Sequence, residues 1–148
     1  MKNLKNVSVP AYLFPIAAVA SVIALIVAFV SCTGEGFGMA SLPLVAALTV
    51  IAVLLGFGTV YFTARKGDQI LSTACAFLMV VSLSFCVYLM IYGKADVFGT
   101  VLFSDLEKGY APAERASNLG LASIVIYLIS LLLIMVASFF RLNKKAEQ

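Results

Sequence analysis

The sequence predicts an all-α, polytopic membrane protein: a bundle of four transmembrane helices with both termini cytoplasmic. Only 11% of the 148 residues are charged and 63% are hydrophobic, with a mean hydropathy of +1.09. An ordinary soluble domain has about a quarter of its residues charged, so that class is excluded. Four apolar stretches are long enough to cross the roughly 30 Å hydrocarbon core, which takes about 20 helical residues. The charges flank these stretches and do not interrupt them. A single transmembrane domain, residues 1–148, accounts for the whole length.

The first helix is expected over residues 11–31. Ala11 to Ser31 contains no charge, and Lys2 and Lys5 precede it. Phe29-Val30-Ser31-Cys32 loosely resembles a lipoprotein cleavage box. The apolar run nevertheless exceeds the roughly 7–15 residues of a signal core, so a retained helix is the expectation. Cys32 to Ala40 then interleaves Gly34, Gly36 and Gly38 with Glu35 and Phe37, which suits a tight turn. No strand pattern precedes these glycines and no Lys-Ser/Thr pair follows, so they do not form a phosphate-cradling loop.

The second helix is expected over residues 42–64, with Ser41 as its cap and Pro43 in its first turn. Tyr61 and Phe62 beside Arg65 and Lys66 form an aromatic and basic interfacial anchor. The charged turn Arg65 to Gln69 leads directly into a third helix over residues 70–92, which ends with Tyr88 and Tyr92. Residues 93–118 form the longest connection. Within it Val97 to Phe103 is apolar but too short to span, and is expected along the interface. Gly109 and Pro112 are expected to interrupt any helical turns there. The fourth helix, residues 119–140, closes with Phe139 and Phe140 followed by Arg141, Lys144 and Lys145.

With the sides assigned alternately, one face carries Lys2, Lys5, Arg65, Lys66, Arg141, Lys144 and Lys145, and the other carries Lys94, Lys108 and Arg115. Lysine and arginine bias in short loops sets orientation. Both termini are therefore expected inside and the 93–118 loop outside, in what short loops suggest is a bacterial inner (plasma) membrane. Because the basic residues serve topology, nucleic acid is not an expected partner. Cys32, Cys75 and Cys86 show no CxxC spacing, and no disulfide is expected.

The expected membrane cores contain no ionisable Asp, Glu, Lys, Arg or His, the residue types that mark proton relays and substrate paths. With no histidine in the chain, bis-histidine haem is excluded. No catalytic dyad, metal cluster or cofactor site is expected. Neutral polar residues remain: Ser21, Thr49, Ser82, Ser84 and Tyr127 fall at similar depths and form a candidate polar layer. A buried tyrosine hydroxyl needs a partner, so Tyr127 is expected to bond across to Ser82, Ser84 or Thr49. Ala20, Ala24 and Ala28, with Ala17 and Ser21, and Ala52 and Gly56 on the second helix, permit close helix approach.

These features point to an accessory or structural subunit of a larger integral membrane complex. It would bind another membrane protein, or itself, through apolar helix faces and the outer loop, with Val97, Phe98, Leu102, Phe103, Asp105, Glu107 and Tyr110 as the candidate partner-binding residues. A small homo-oligomeric channel or transporter for a neutral solute is the alternative, with the polar layer as its path. An interfacial lipid or quinone enzyme has only Asp96, Asp105, Glu107, Lys108, Tyr110, Glu114 and Arg115 to draw on. A solvated loop explains these residues equally well. Membrane lipid is an expected partner in every case.

Overall fold

A computed structural model of the chain describes residues 9–33, 36–64, 69–103 and 109–140. Four helices make up the architecture: α1 (Leu13–Ser31), α2 (Leu42–Ala64), α3 (Gln69–Phe98) and α4 (Ala111–Phe139). A 3₁₀ turn, Val9–Tyr12, leads into α1, and a π-helical turn, Gly99–Phe103, continues α3. All four helices are long and apolar enough to cross a membrane. Prolines sit only at the starts: Pro10 in the 3₁₀ turn, and Pro15, Pro43 and Pro112 in the first turns of α1, α2 and α4. Backbone N–H groups there have no intrahelical acceptor, so proline removes no bond.

The helices form a closed bundle. α1 packs most extensively on α4 and α2 on α3, with lesser seams between α1 and α2 and between α3 and α4. The buried stripes repeat at alternating steps of three and four residues. In α2 they are Val45, Thr49, Ala52, Gly56, Thr59 and Thr63, and in α3 Ser72, Ala76, Met79, Leu83, Cys86 and Met90. Their residues are mainly small or hydroxylated, while Ile16, Ile26, Leu54, Phe57, Phe77 and Leu132 point outward. That inversion suits a lipid solvent, which gives no hydrophobic reason to bury leucine and leaves close packing and interhelical hydrogen bonds to join the helices. Gly56 marks a close approach of α1 and α2. A Cβ there would lie 3.1 Å from the Ala18 Cβ and 3.2 Å from the Phe14 carbonyl oxygen.

The structure departs from the sequence expectation at one end. α3 runs past Tyr92 to Phe98 and on through the π turn to Phe103, and α4 starts at Ala111 instead of residue 119. The expected 93–118 loop therefore shrinks to the residues between Phe103 and Ala111. Gly93 does not break α3, because its lack of a side chain is what lets Met39 and Ser41 of the α1–α2 connection pack against it. Pro112 starts a helix and does not interrupt one. Gly109 (φ 88°) turns the chain just before α4, and its N–H donates to Glu114 Oε1 at 2.8 Å. The charged turn at residues 65–68 lies outside the described residues.

Candidate functional site

Polar contacts join the helices at an end of the bundle and at its centre. At the end, Lys94 is fully buried on α3. Its side-chain amino group donates to the carbonyl oxygens of Ser31 at 3.0 Å and Phe37 at 2.9 Å. Ser31 is the last residue of α1, whose final carbonyls have no intrahelical donor and form the negative end of the helix dipole. Lys94 thus caps α1 from α3 and holds the α1–α2 connection to both. Its stem lies against α4, where a Cβ on Gly120 would meet Lys94 Cγ at 3.7 Å and the Phe98 ring at 3.4 Å.

This placement corrects the expectation that Lys94 belongs to the 93–118 connection: it is a buried residue of α3. A sequence signal existed: Met79, Leu83, Cys86, Met90 and Lys94 continue one three-and-four-residue stripe. Ser41, expected to cap α2, instead has a buried hydroxyl with no partner among the described residues, and Met39 supplies the carbonyl that accepts the Leu42 N–H.

Beyond Lys94, α3 continues to Phe98 and through the π turn to Phe103, and Ala111 and Pro112 at the start of α4 line one recess with Val30, Ser31 and Thr33. Leu102, Phe103 and Tyr110 at the tip of the α3–α4 hairpin are exposed, Phe103 by 85%. Val97 and Phe98, grouped with them in the sequence, are half-buried helical residues, with Phe98 packed on Gly120. Asp105 and Glu107 lie outside the described residues. Of the acidic and basic residues that an interfacial enzyme would need, Asp96 and Arg115 are exposed on different helices and Glu114 is engaged by Gly109.

At the centre, Tyr127 is fully buried on α4, and its hydroxyl lies 2.8 Å from Thr49 Oγ1 on α2, one of the three partners the sequence offered. Thr49 also donates to Val45 O at 2.8 Å and lies 3.7 Å from Cys86 Sγ. Three helices therefore meet at one hydroxyl. The rest of the expected layer divides. Ser21 is buried but donates to Ala18 O within its own helix, at 2.7 Å. Ser82 is buried on α3. Ser84 is exposed on the outer surface and bonds Val80 O of its own helix, so it does not belong to the layer.

Sequence reasoning missed two links. Ser123 Oγ donates to Ala24 O at 2.8 Å, tying α4 to α1, and Thr63 Oγ1 lies 2.7 Å from Ser72 Oγ, tying α2 to α3 at the end opposite Lys94. Ser123 and Ser130 share the Tyr127 stripe at steps of four and three residues, a pattern legible in the sequence. Among the described residues no group of three His, Cys, Asp or Glu side chains is placed to hold a metal ion. The centre is filled by Tyr127, Met79 and Leu83, each with no exposed surface. No family model matches the chain, and neither a curated protein nor a solved structure shows significant similarity to it.

Proposed function

We propose that the chain is an accessory or structural subunit of a larger integral membrane assembly, and that it docks through the tip of the α3–α4 hairpin at the Lys94 end. The observation that carries this reading is the excess length of α3. The helical segment Ile70–Phe103 comprises 34 residues, about 51 Å of helix against a hydrocarbon core of roughly 30 Å. Tyr88 and Tyr92, stacked with ring centroids 6.1 Å apart and both exposed, suit the interfacial aromatic belt. Phe103 is then about 16 Å of helix beyond Tyr92.

Exposed Leu102, Phe103 and Tyr110 at that height form an apolar tip on a helical pair braced by Lys94. Apolar groups clustered outside the bilayer core mark protein interaction surfaces. The lysine and arginine bias supports placing both termini in the cytoplasm and the tip on the outer side of a plasma membrane.

The alternative, a small channel, requires a path. Thr49 and Tyr127, Thr63 and Ser72, and Ser123 and the Ala24 carbonyl pair with one another across helices, which favours interhelical packing within a single bundle. Purification from the native membrane in mild detergent tests the docking reading. A partner at fixed stoichiometry that is lost from the Leu102→Ser/Phe103→Ser/Tyr110→Ser variant is the expected result. A homo-oligomer with nothing attached, unchanged in that variant, would transfer the assignment to the channel.

A further inference from the structure

We propose that the recess between the end of α1 and the start of α4 binds a phosphate group, held by the Arg115 guanidinium and presented by a phospholipid at the membrane surface. The recess is a half-open cavity of about 250 Å³ lined by Val30, Ser31, Thr33, Pro112, Arg115 and Ala116. Arg115 is exposed and has no hydrogen-bond or ion-pair partner among the described residues. Its planar fork of N–H donors matches two phosphate oxygens in parallel bonds. The adjacent acid, Glu114, is engaged by the Gly109 N–H at 2.8 Å instead.

The end of a helix would ordinarily offer such a cation its last carbonyls. In α1 those carbonyls already carry donors: Phe29 O the Cys32 N–H, Val30 O the Thr33 N–H and hydroxyl, and Ser31 O the Lys94 amino group. Lys94 also places a second positive charge behind the Ser31 wall. Ser117, which follows Ala116 on the facing wall, is fully buried with no partner for its hydroxyl among the described residues. A buried unpaired hydroxyl beside a polar recess marks a place for a water or an ion. Height selects the source of the anion. Pro10–Ser31 comprises 22 residues, about 33 Å of helix against a hydrocarbon core of roughly 30 Å, so the recess lies where acyl chains give way to lipid phosphates.

The site uses none of the exposed tip residues and does not rest on the docking reading. Its test is made on the isolated full chain, so loss of a docking partner leaves it unaffected. The protein in mild detergent is offered equal amounts of phosphatidylglycerol and of diacylglycerol with the same acyl chains, and is weighed by native mass spectrometry. One retained phosphatidylglycerol per chain, in preference to diacylglycerol, is expected. An excess of inorganic phosphate should leave it bound.

Arg115→Gln, at an exposed position, should lower the preference by at least about fivefold, the size of effect that one cation near the headgroups supplies. Arg115→Lys keeps the charge without the fork and should recover only part of it. Thr33→Trp fills the recess from its exposed rim and should remove the retained lipid. Equal retention of the two lipids by the wild type, or a preference unchanged in Arg115→Gln, would overturn the proposal. Release of phosphatidylglycerol by inorganic phosphate would overturn the lipid as the source of the phosphate.

Discussion

The side-chain amino group of Lys94 lies 3.0 Å from the carbonyl oxygen of Ser31. Its second acceptor, Phe37 O at 2.9 Å, belongs to the connection between α1 and α2. One side chain therefore ties α3 to the end of α1 and to the segment that leads into α2, and its stem packs on α4 through Gly120. The continuation of α3 to Phe103 is anchored at its base by that contact.

Lys94→Met keeps an apolar stem of similar length but leaves the buried Ser31 carbonyl and the part-buried Phe37 carbonyl without their donor. At about 1 kcal/mol per net hydrogen bond, plus the desolvation of each abandoned acceptor, the bundle should lose about 2–4 kcal/mol. Unfolding in detergent, followed by circular dichroism, checks the value. Limited proteolysis between Phe103 and Tyr110 should also accelerate in the variant, because the hairpin loses its brace.

The contact between Tyr127 and Thr49 is a different case. Tyr127→Phe removes one hydroxyl while Thr49 keeps its bond to Val45 O, so no buried group is stranded. A loss of about 0.6 kcal/mol is expected, the usual size for an interhelical hydrogen bond in a membrane bundle. Combined with Thr49→Val in a double-mutant cycle, the coupling should be of the same sign and size. A coupling near zero would mean the two hydroxyls do not meet.

Much of the fold was legible in the residues. The start of α2 at Leu42 follows from the apolar run and Pro43, and the helix continues to Ala64, the last described residue before the charged turn. The ends of α3 and α4 were not legible, because Gly93 and Pro112 read as breakers when taken alone. Their tertiary roles are close approach to Met39 and a helix start.

The polar layer was legible in depth but not in direction around the helix. Ser82 and Ser84 differ by two residues, which is about 200° of rotation, so one is buried and the other faces outward. Lys94 was misplaced for the same reason as Gly93. A cation just past an apolar run reads as a boundary until its continuation of the Met90 stripe is weighed.

Gly56 and Gly58 make a controlled pair on α2. Gly56→Ala forces a Cβ to 3.1 Å from Ala18 Cβ and 3.2 Å from the Phe14 carbonyl, both on the opposing helix, and should cost about 1–3 kcal/mol. At Gly58 the nearest atoms are 3.9 Å away, so Gly58→Ala should be neutral or stabilise by up to about 1 kcal/mol. Thermal midpoints of the two variants in one detergent decide it, and equal midpoints would refute the close approach of α1 and α2.

Orientation is open to direct labelling. In a background with Cys32, Cys75 and Cys86 replaced by alanine, a cysteine at Tyr110 should react with a membrane-impermeant maleimide on intact cells. A cysteine at Gln148 should react only after the membrane is opened. The reverse pattern would invert the topology drawn from the lysine and arginine bias.

The docking assignment is tested most directly by site-specific photo-crosslinking in the native membrane. The probe is placed at Phe103, 85% exposed at the hairpin tip, and in a separate sample at Phe29, 62% exposed on the flank of α1, as a lipid-facing control. The account predicts one discrete adduct of reproducible mass from position 103, absent at position 29 and weakened when Lys94 is replaced by methionine. No adduct at position 103, or the same products from both positions, would contradict it.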